Sequence, residues 1–252
     1  MHSFLVFLQK EFIEQWRTKR FFTLLCVLVI FSMGAPVLSR YMQEILNMTV
    51  GDLPLDLPPT TWIDSWTQFY SFIAQMGAIG VIMLFMGSIS GEKQSGSAAL
   101  TLTKNLSHTS FVVAKFISMV VLLVASFFPA VGIAYGYTHF LFGEAGALGH
   151  VLFAATIYFI GLVALLGIIV LASALTKTSV NSAVLAFGGY LLFFVFLEFV
   201  PGLHILVPGA LTGQAIDLLT GEAFLLPALF GTLGLIVLCL LGAVYAIKRQ
   251  EI

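Results

Sequence analysis

Residues 151–175 read VLFAATIYFIGLVALLGIIVLASAL, without one charged side chain. As a helix, this stretch exceeds the ~20 residues needed to cross a ~30 Å hydrocarbon core. Outward from it, comparable apolar runs lie at residues 21–38, 68–89, 111–137, 180–199 and 224–247. A charge at the centre of such a helix costs roughly 2.5–3.5 kcal/mol on the insertion scale, and these centres carry none. Over its 252 residues the chain is 60% hydrophobic and 9% charged, with a mean hydropathy of +1.05. Soluble domains sit near ~25% charged. Helices apolar all round offer water no polar face, so lipid is their solvent. The expected fold is an all-α membrane protein of six transmembrane helices, forming a single transmembrane domain over residues 1–252.

The charges orient it. With six spans and both ends on one side, Lys10, Arg17, Lys19, Arg20, Lys93, Lys104, Lys115, Lys177, Lys248 and Arg249 share that side, and only Arg40 lies opposite. Short loops rich in Lys and Arg stay cytoplasmic, so both termini are expected inside. The other side collects Glu44, Asp52, Asp56, Asp64, Glu144, Asp217 and Glu222. Trp62 and Trp66 near the outer end of the second span, and Trp16 at the inner surface, read as interfacial anchors. The first apolar run follows Glu11 and Glu14, and no small-residue cleavage site comes after it. It is read as a retained span rather than a signal peptide. The expected location is a bacterial or archaeal plasma membrane, with the lipid bilayer as partner and no nucleic acid.

Residues 1–20 are not a span. On a 3.6-residue helix, Phe4, Leu5, Leu8, Phe12 and Trp16 gather on one face, and Lys10, Glu14 and Arg17 on the other. This predicts an amphipathic helix lying flat at the cytoplasmic interface. The first outer loop, residues 39–66, is the longest polar stretch, and Pro54, Pro58 and Pro59 oppose a continuous helix there. The inner turn at 176–179 is tight enough to make the fourth and fifth spans an antiparallel hairpin. Residues 200–223 contain Pro201-Gly202 and Pro208-Gly209 yet are largely apolar. Short re-entrant helices dipping into the outer leaflet between the fifth and sixth spans fit this composition. Pro129 is expected to kink the third span.

Several chemistries are poorly supported. Residues 91–96, GEKQSG, have the glycine spacing of a phosphate-cradling loop, but Ser97 and Ala98 stand where Lys and Ser/Thr belong, and no strand precedes them. His2, His108, His139, His150 and His204 show no helix-spaced pair. Cys26 and Cys239 form no metal motif and read as small apolar side chains. Ser126 and Ser173 lack a His or Asp at matching depth, as an intramembrane nucleophile would need. Glu198 is the only carboxylate within an apolar run, near its outer end, and is the candidate pathway residue. No catalytic, cofactor-binding or metal-ligating residue is assigned in this chain.

The first inner loop, residues 91–110, carries the most specific pattern. Glu92, Gly96, Ser97, Leu100, Leu102 and Lys115 follow the second span in an order that resembles the permeases of type-2 ABC transporters: an acidic residue, a Gly with a small hydroxyl residue, a short apolar helix, and a Lys opening the third span. Ser97 stands where that family has Thr. The turn Asn105-Leu106-Ser107-His108 lacks the usual Pro and Arg, and Ala114 replaces the Gly before the Lys. The order of interfacial helix, six spans and apolar outer segment is similar as well. The resemblance implies a non-catalytic half of a transmembrane dimer, formed with a second copy or a paralogous permease. Each half docks on a separate ATPase subunit, which binds ATP and Mg. It also implies that the inner loop is a coupling helix seated in a groove of the ATPase, with the interfacial helix touching the same partner. The residues expected at that interface are Glu92, Lys93, Gly96, Ser97, Leu100, Leu102 and Lys104. Phe4, Leu8, Phe12 and Trp16 would form the apolar face of the interfacial helix. Export of an amphipathic substrate is the expected activity. The alternatives are a secondary transporter, for which no internal repeat is seen, or a scaffold or immunity protein.

Overall fold

In hydrocarbon each backbone N–H and C=O must be satisfied within the protein, so apolar runs of this length have helix as their only single-segment solution. A computed structural model describes residues 2–50, 59–96, 107–221 and 226–250, and six of its helical segments are long and apolar enough to cross a membrane. The elements are α1 (His2–Arg17), α2 (Arg20–Val50), α3 (Trp62–Phe72), α4 (Ala78–Phe85), α5 (Ser90–Gln94), α6 (His108–Phe142), α7 (Leu148–Leu175), α8 (Ser179–Phe194), α9 (Pro208–Asp217) and α10 (Leu226–Arg249). The spans are α2, α3 with α4 and α5, α6, α7, α8 and α10. Of the predicted coupling residues, Ser97, Leu100, Leu102 and Lys104 lie outside the described residues.

α7 is the hub. It packs against α4, α6, α8, α9 and α10. In its membrane window 78% of residues are buried, against 11% for α8, which therefore lies on the perimeter. Small residues allow this centrality. Ala154, Ala155, Ala164 and Gly167 bring neighbours close, and a Cβ on Gly167 would lie 3.5 Å from that of Cys239 on α10. α7 and α8 form the expected hairpin, with Thr178 Oγ1 capping α8 by accepting from the Asn181 N–H at 3.3 Å.

Three elements differ from the sequence expectation. α2 continues to Val50, well into the stretch expected as a polar loop. After its apolar run ends, no Gly or Pro interrupts residues 39–50, and Met42, Gln43, Glu44 and Leu46 are good helix formers. Trp66 is not an interfacial anchor: it is fully buried, with its indole N–H donated to the Ala145 carbonyl at 3.1 Å. That carbonyl belongs to the short outer turn between α6 and α7, where Gly143 and Gly146 take positive φ.

The second span, expected as one run, is broken twice. A π-turn at Ile73–Gly77 separates α3 from α4. Such turns displace a carbonyl from the helical ladder, and tyrosines from neighbouring spans meet the backbone here. The Tyr190 hydroxyl of α8 donates to the Ala74 carbonyl, and the Tyr158 hydroxyl of α7 donates to the Tyr70 carbonyl at 3.0 Å. Toward its C-terminal end the span breaks again between α4 and α5. Ser173 of α7 fills that break: its Oγ accepts from the N–H groups of Ile89 and Ser90, both at 2.9 Å, and donates to the Met86 carbonyl at 3.0 Å.

Between α8 and α9, two 3₁₀ turns (Phe196–Phe199 and His204–Leu206) lead into α9. α9 packs on α7 with Leu211 and Ala215 fully buried. The turn before it is pressed onto α10 so closely that a Cβ on Gly231 would fall 2.0 Å from the Leu206 carbonyl oxygen.

Candidate functional site

The site starts from a conflict in the sequence of α1. Phe4, Phe7 and Leu8 share a face with Glu11 and Gln15, so one helical stripe mixes apolar and acidic residues. That stripe packs on α6, and Phe7, Glu11 and Gln15 are buried there. The opposite side leaves Leu5, Val6, Ile13 and Trp16 exposed, with Trp16 stacked on Phe21 at 5.6 Å. The structure therefore divides the apolar stripe read from the sequence. Phe4 and Leu8 pack against the protein core, Phe12 lies between, and Trp16 stays on the open face.

A buried carboxylate is costly unless paired, and the partner is Lys115, two turns into α6 and 2% exposed. Its ammonium donates to Glu11 Oε1 at 3.0 Å, to Glu11 Oε2 at 3.1 Å and to Glu92 Oε1 at 2.9 Å. Lys10 closes the group from the solvent side, 2.8 Å from Glu92 Oε1, 3.0 Å from Glu11 Oε1 and 2.8 Å from Glu14 Oε2. Phe7 and Phe111 wall the cluster, with the Lys115 ammonium 5.7 Å and 5.2 Å from their ring centroids. Gln15 extends it, donating to Ser118 Oγ at 2.8 Å.

The two outermost groups show the pairing in their acidities. Burial opposes the Lys10 charge, but hydrogen bonds to Glu14 and Glu92 and the charge of Glu11 outweigh it and raise the pKa above the ordinary 10.5. Burial likewise works against ionised Glu14, while the Lys10 hydrogen bond and the charges of Lys10, Lys115 and Arg20 hold its pKa below the ordinary 4.5. Glu11, Glu14 and Glu92 bring carboxylate oxygens within 4.8 Å of one another, as metal ligands do. Lys10 already sits among all three and Lys115 between two, so the charge is largely compensated without an ion.

Glu92 therefore ties α5, the root of the first inner loop, to α1 and α6. Its neighbour Lys93 ties the same root elsewhere. The Lys93 ammonium donates to the Ala174 carbonyl at the end of α7 and to Gln250 Oε1 at 2.7 Å, just beyond α10. Gly96 follows α5 at φ 73, a left-handed conformation that suits glycine and turns the chain out of the helix. Two adjacent charged residues thus anchor the loop root to four helices.

Of the sequence-predicted site, Glu92, Lys93 and Gly96 fall together at this root. Glu198 falls elsewhere: it is exposed in the Phe196–Phe199 turn, with its carboxylate against Gly209 at the N-terminus of α9. A helix N-terminus favours such a charge. Lys10, Glu11, Glu14, Gln15 and Ser173 were not assigned to this site from the sequence. The usable signal was Glu11 and Gln15 at i, i+4 within the Phe4–Phe7–Leu8 stripe, which marks a face turned toward protein rather than lipid.

A sequence profile described as ABC-2 family transporter protein matches residues 5–216. The chain belongs to the ABC-2 family of transporter proteins. The ABC-2 match begins in α1 and ends within α9, so it contains every residue of the ion cluster. A relative, the uncharacterized transmembrane protein YxlG of Bacillus subtilis (strain 168), is 28% identical over 149 residues, 58% of this chain and 57% of that protein. The match thus spans little more than half of the relative's length. With its six apolar helices, this ABC-2 protein is a multi-pass integral membrane protein.

Proposed function

We infer that this chain is the transmembrane permease subunit of an ABC exporter, driven by a separate ATPase that docks on the first inner loop. The observation carrying this reading is the loop root. Glu92 and Lys93 link it through charged hydrogen bonds to α1, α6, α7 and the end of α10. A displacement of the loop by a partner is passed to these elements together, and most firmly to α6, because the Glu92–Lys115 pair is largely buried and costly to separate. The chain then performs no chemistry itself, and ATP and Mg belong to the partner. Both termini lie on the cytoplasmic side, where the cluster and the basic span ends collect. α8, with Val180 and Val184 exposed, is a face for a second permease, identical or paralogous. Spans with so few charges suit an amphipathic or lipid-like substrate.

Co-purification with candidate ATPase subunits tests the reading, using the wild type, Glu92→Ala and Leu100→Glu. A stable complex that is lost on changing the loop is expected. A folded chain that stays alone with every candidate, or a complex indifferent to both changes, contradicts it.

A further inference from the structure

Beside the ion cluster lies a cavity of about 380 Å³, walled by α1, the start of α2, the break before α5, and α6. Most of its charges are spent on one another. Three groups are not. Gln15 is 4% exposed, and its side-chain oxygen has no hydrogen-bond partner. The amide orientation follows from its neighbour: the Ser118 hydroxyl donates to the Lys115 carbonyl at 2.8 Å, so it must accept from the Gln15 nitrogen. The Gln15 oxygen is thereby left as an acceptor that only a donor can satisfy. Ser88, 5% exposed, likewise lines the cavity with an unpartnered hydroxyl. Arg20 also lines it; its charge acts on Glu14 at a distance, but among the described residues its guanidinium forms no salt bridge and keeps its donors for a ligand.

An unsatisfied buried acceptor is costly, and an Arg with no salt-bridge partner is a phosphate-binding group. Together they describe a ligand with N–H donors at one end and an anionic phosphate at the other. The surroundings indicate its source. Arg20 lines the cavity and begins the first span, so the cavity lies at the level where that span enters the bilayer, and the opposite side of α1 exposes Leu5, Val6, Ile13 and Trp16 as an interfacial helix does. We propose that this cavity binds the phosphoethanolamine headgroup of an inner-leaflet phospholipid, with Arg20 on the phosphate and the Gln15 oxygen accepting from the ammonium. The Ser88 hydroxyl serves either end. Only the choice of leaflet rests on the proposed orientation; the binding itself needs no ATPase partner, so the two readings fail separately.

The test is native mass spectrometry of the full chain, delipidated in detergent and offered dioleoyl phosphatidylethanolamine, dioleoyl phosphatidylcholine or soluble glycerophosphoethanolamine. The choline headgroup has the same charges but no N–H to donate. Phosphatidylethanolamine should bind about tenfold more tightly than phosphatidylcholine. Arg20→Gln and Ser88→Ala should each reduce that binding at least about fivefold, and Arg20→Lys should largely keep it. Equal binding of the two lipids by the wild type, which needs no variant to fold, overturns the proposal. So does binding indifferent to Arg20→Gln. Glycerophosphoethanolamine binding as tightly as the lipid would assign the cavity to a soluble ester and overturn the lipid assignment.

Discussion

Lys115 is the residue on which the packing of α1 and the loop root against α6 depends. It is buried, and two carboxylates from different elements converge on it. Removing one partner of a buried ion pair typically costs 3–5 kcal/mol, because the other charge is left uncompensated. Lys115→Ala is therefore expected to destabilise by about 3–5 kcal/mol, measured as unfolding of the purified chain in detergent. Lys10 touches the same carboxylates, but its side chain is 45% exposed. Lys10→Ala should cost no more than about 1 kcal/mol. Equal losses for the two would refute the ranking. pH provides a second reading of the cluster. The Lys10 pKa is raised, so its contribution is fully present below 10.5 and is lost as pH rises through the higher folded value. The Glu14 pKa is lowered, so its contribution is present above 4.5 and is lost as pH falls through the lower folded value. Hydrogen exchange of α1 should therefore be flat across the neutral range and accelerate only below pH 4.5 and above pH 10.5, after correction for intrinsic exchange. A docking transition near pH 7 would contradict it.

At the scale of elements, the broken second span is the informative one. Ser173→Ala removes the acceptor for the N–H groups of Ile89 and Ser90 and should cost about 1–3 kcal/mol, while Ser126→Ala, whose hydroxyl only returns to the Leu122 carbonyl of its own helix, should cost less. Paired thermal unfolding of the two variants checks this. The six spans were legible in the sequence because apolar length is a one-dimensional property. The breaks in the second span were not, since they depend on Tyr158, Tyr190 and Ser173 arriving from other spans. α1 was legible as a helix, but the choice of its buried face was not. Apolar residues cover most of its circumference, and the decision falls to Glu11 and Gln15 finding Lys115 and Ser118 across the sequence. The sequence marked Glu92 and Lys93 as expected interface residues, whereas their anchoring role appears only with their partners in view. Gly231 shows the same limit on the outer side. Its Cα lies under the Leu206 carbonyl, so Gly231→Val should loosen the outer turn and increase proteolysis within residues 200–207. An unchanged cleavage pattern would count against that packing.

In the whole molecule, α1, the loop root and the start of α6 are joined by ion pairs into one body, and the proposed coupling would carry it as a unit with the ATPase. α7 is the buried hub, and α8 is the open perimeter. On that proposal other helices adjust around the body during a cycle while its internal distances stay fixed. Gln9 on α1 and Thr109 at the start of α6 are both exposed and flank the cluster, which makes them suitable label positions. The direct measurement is the distance between spin labels at Gln9→Cys and Thr109→Cys, with Cys26 and Cys239 replaced by Ser, in the ATPase complex with and without trapped ATP. The predicted result is one narrow distribution, unmoved by ATP and broadened by Lys115→Met. A wild-type distance that shifts with ATP would contradict the rigid body and, with it, the proposed route of coupling.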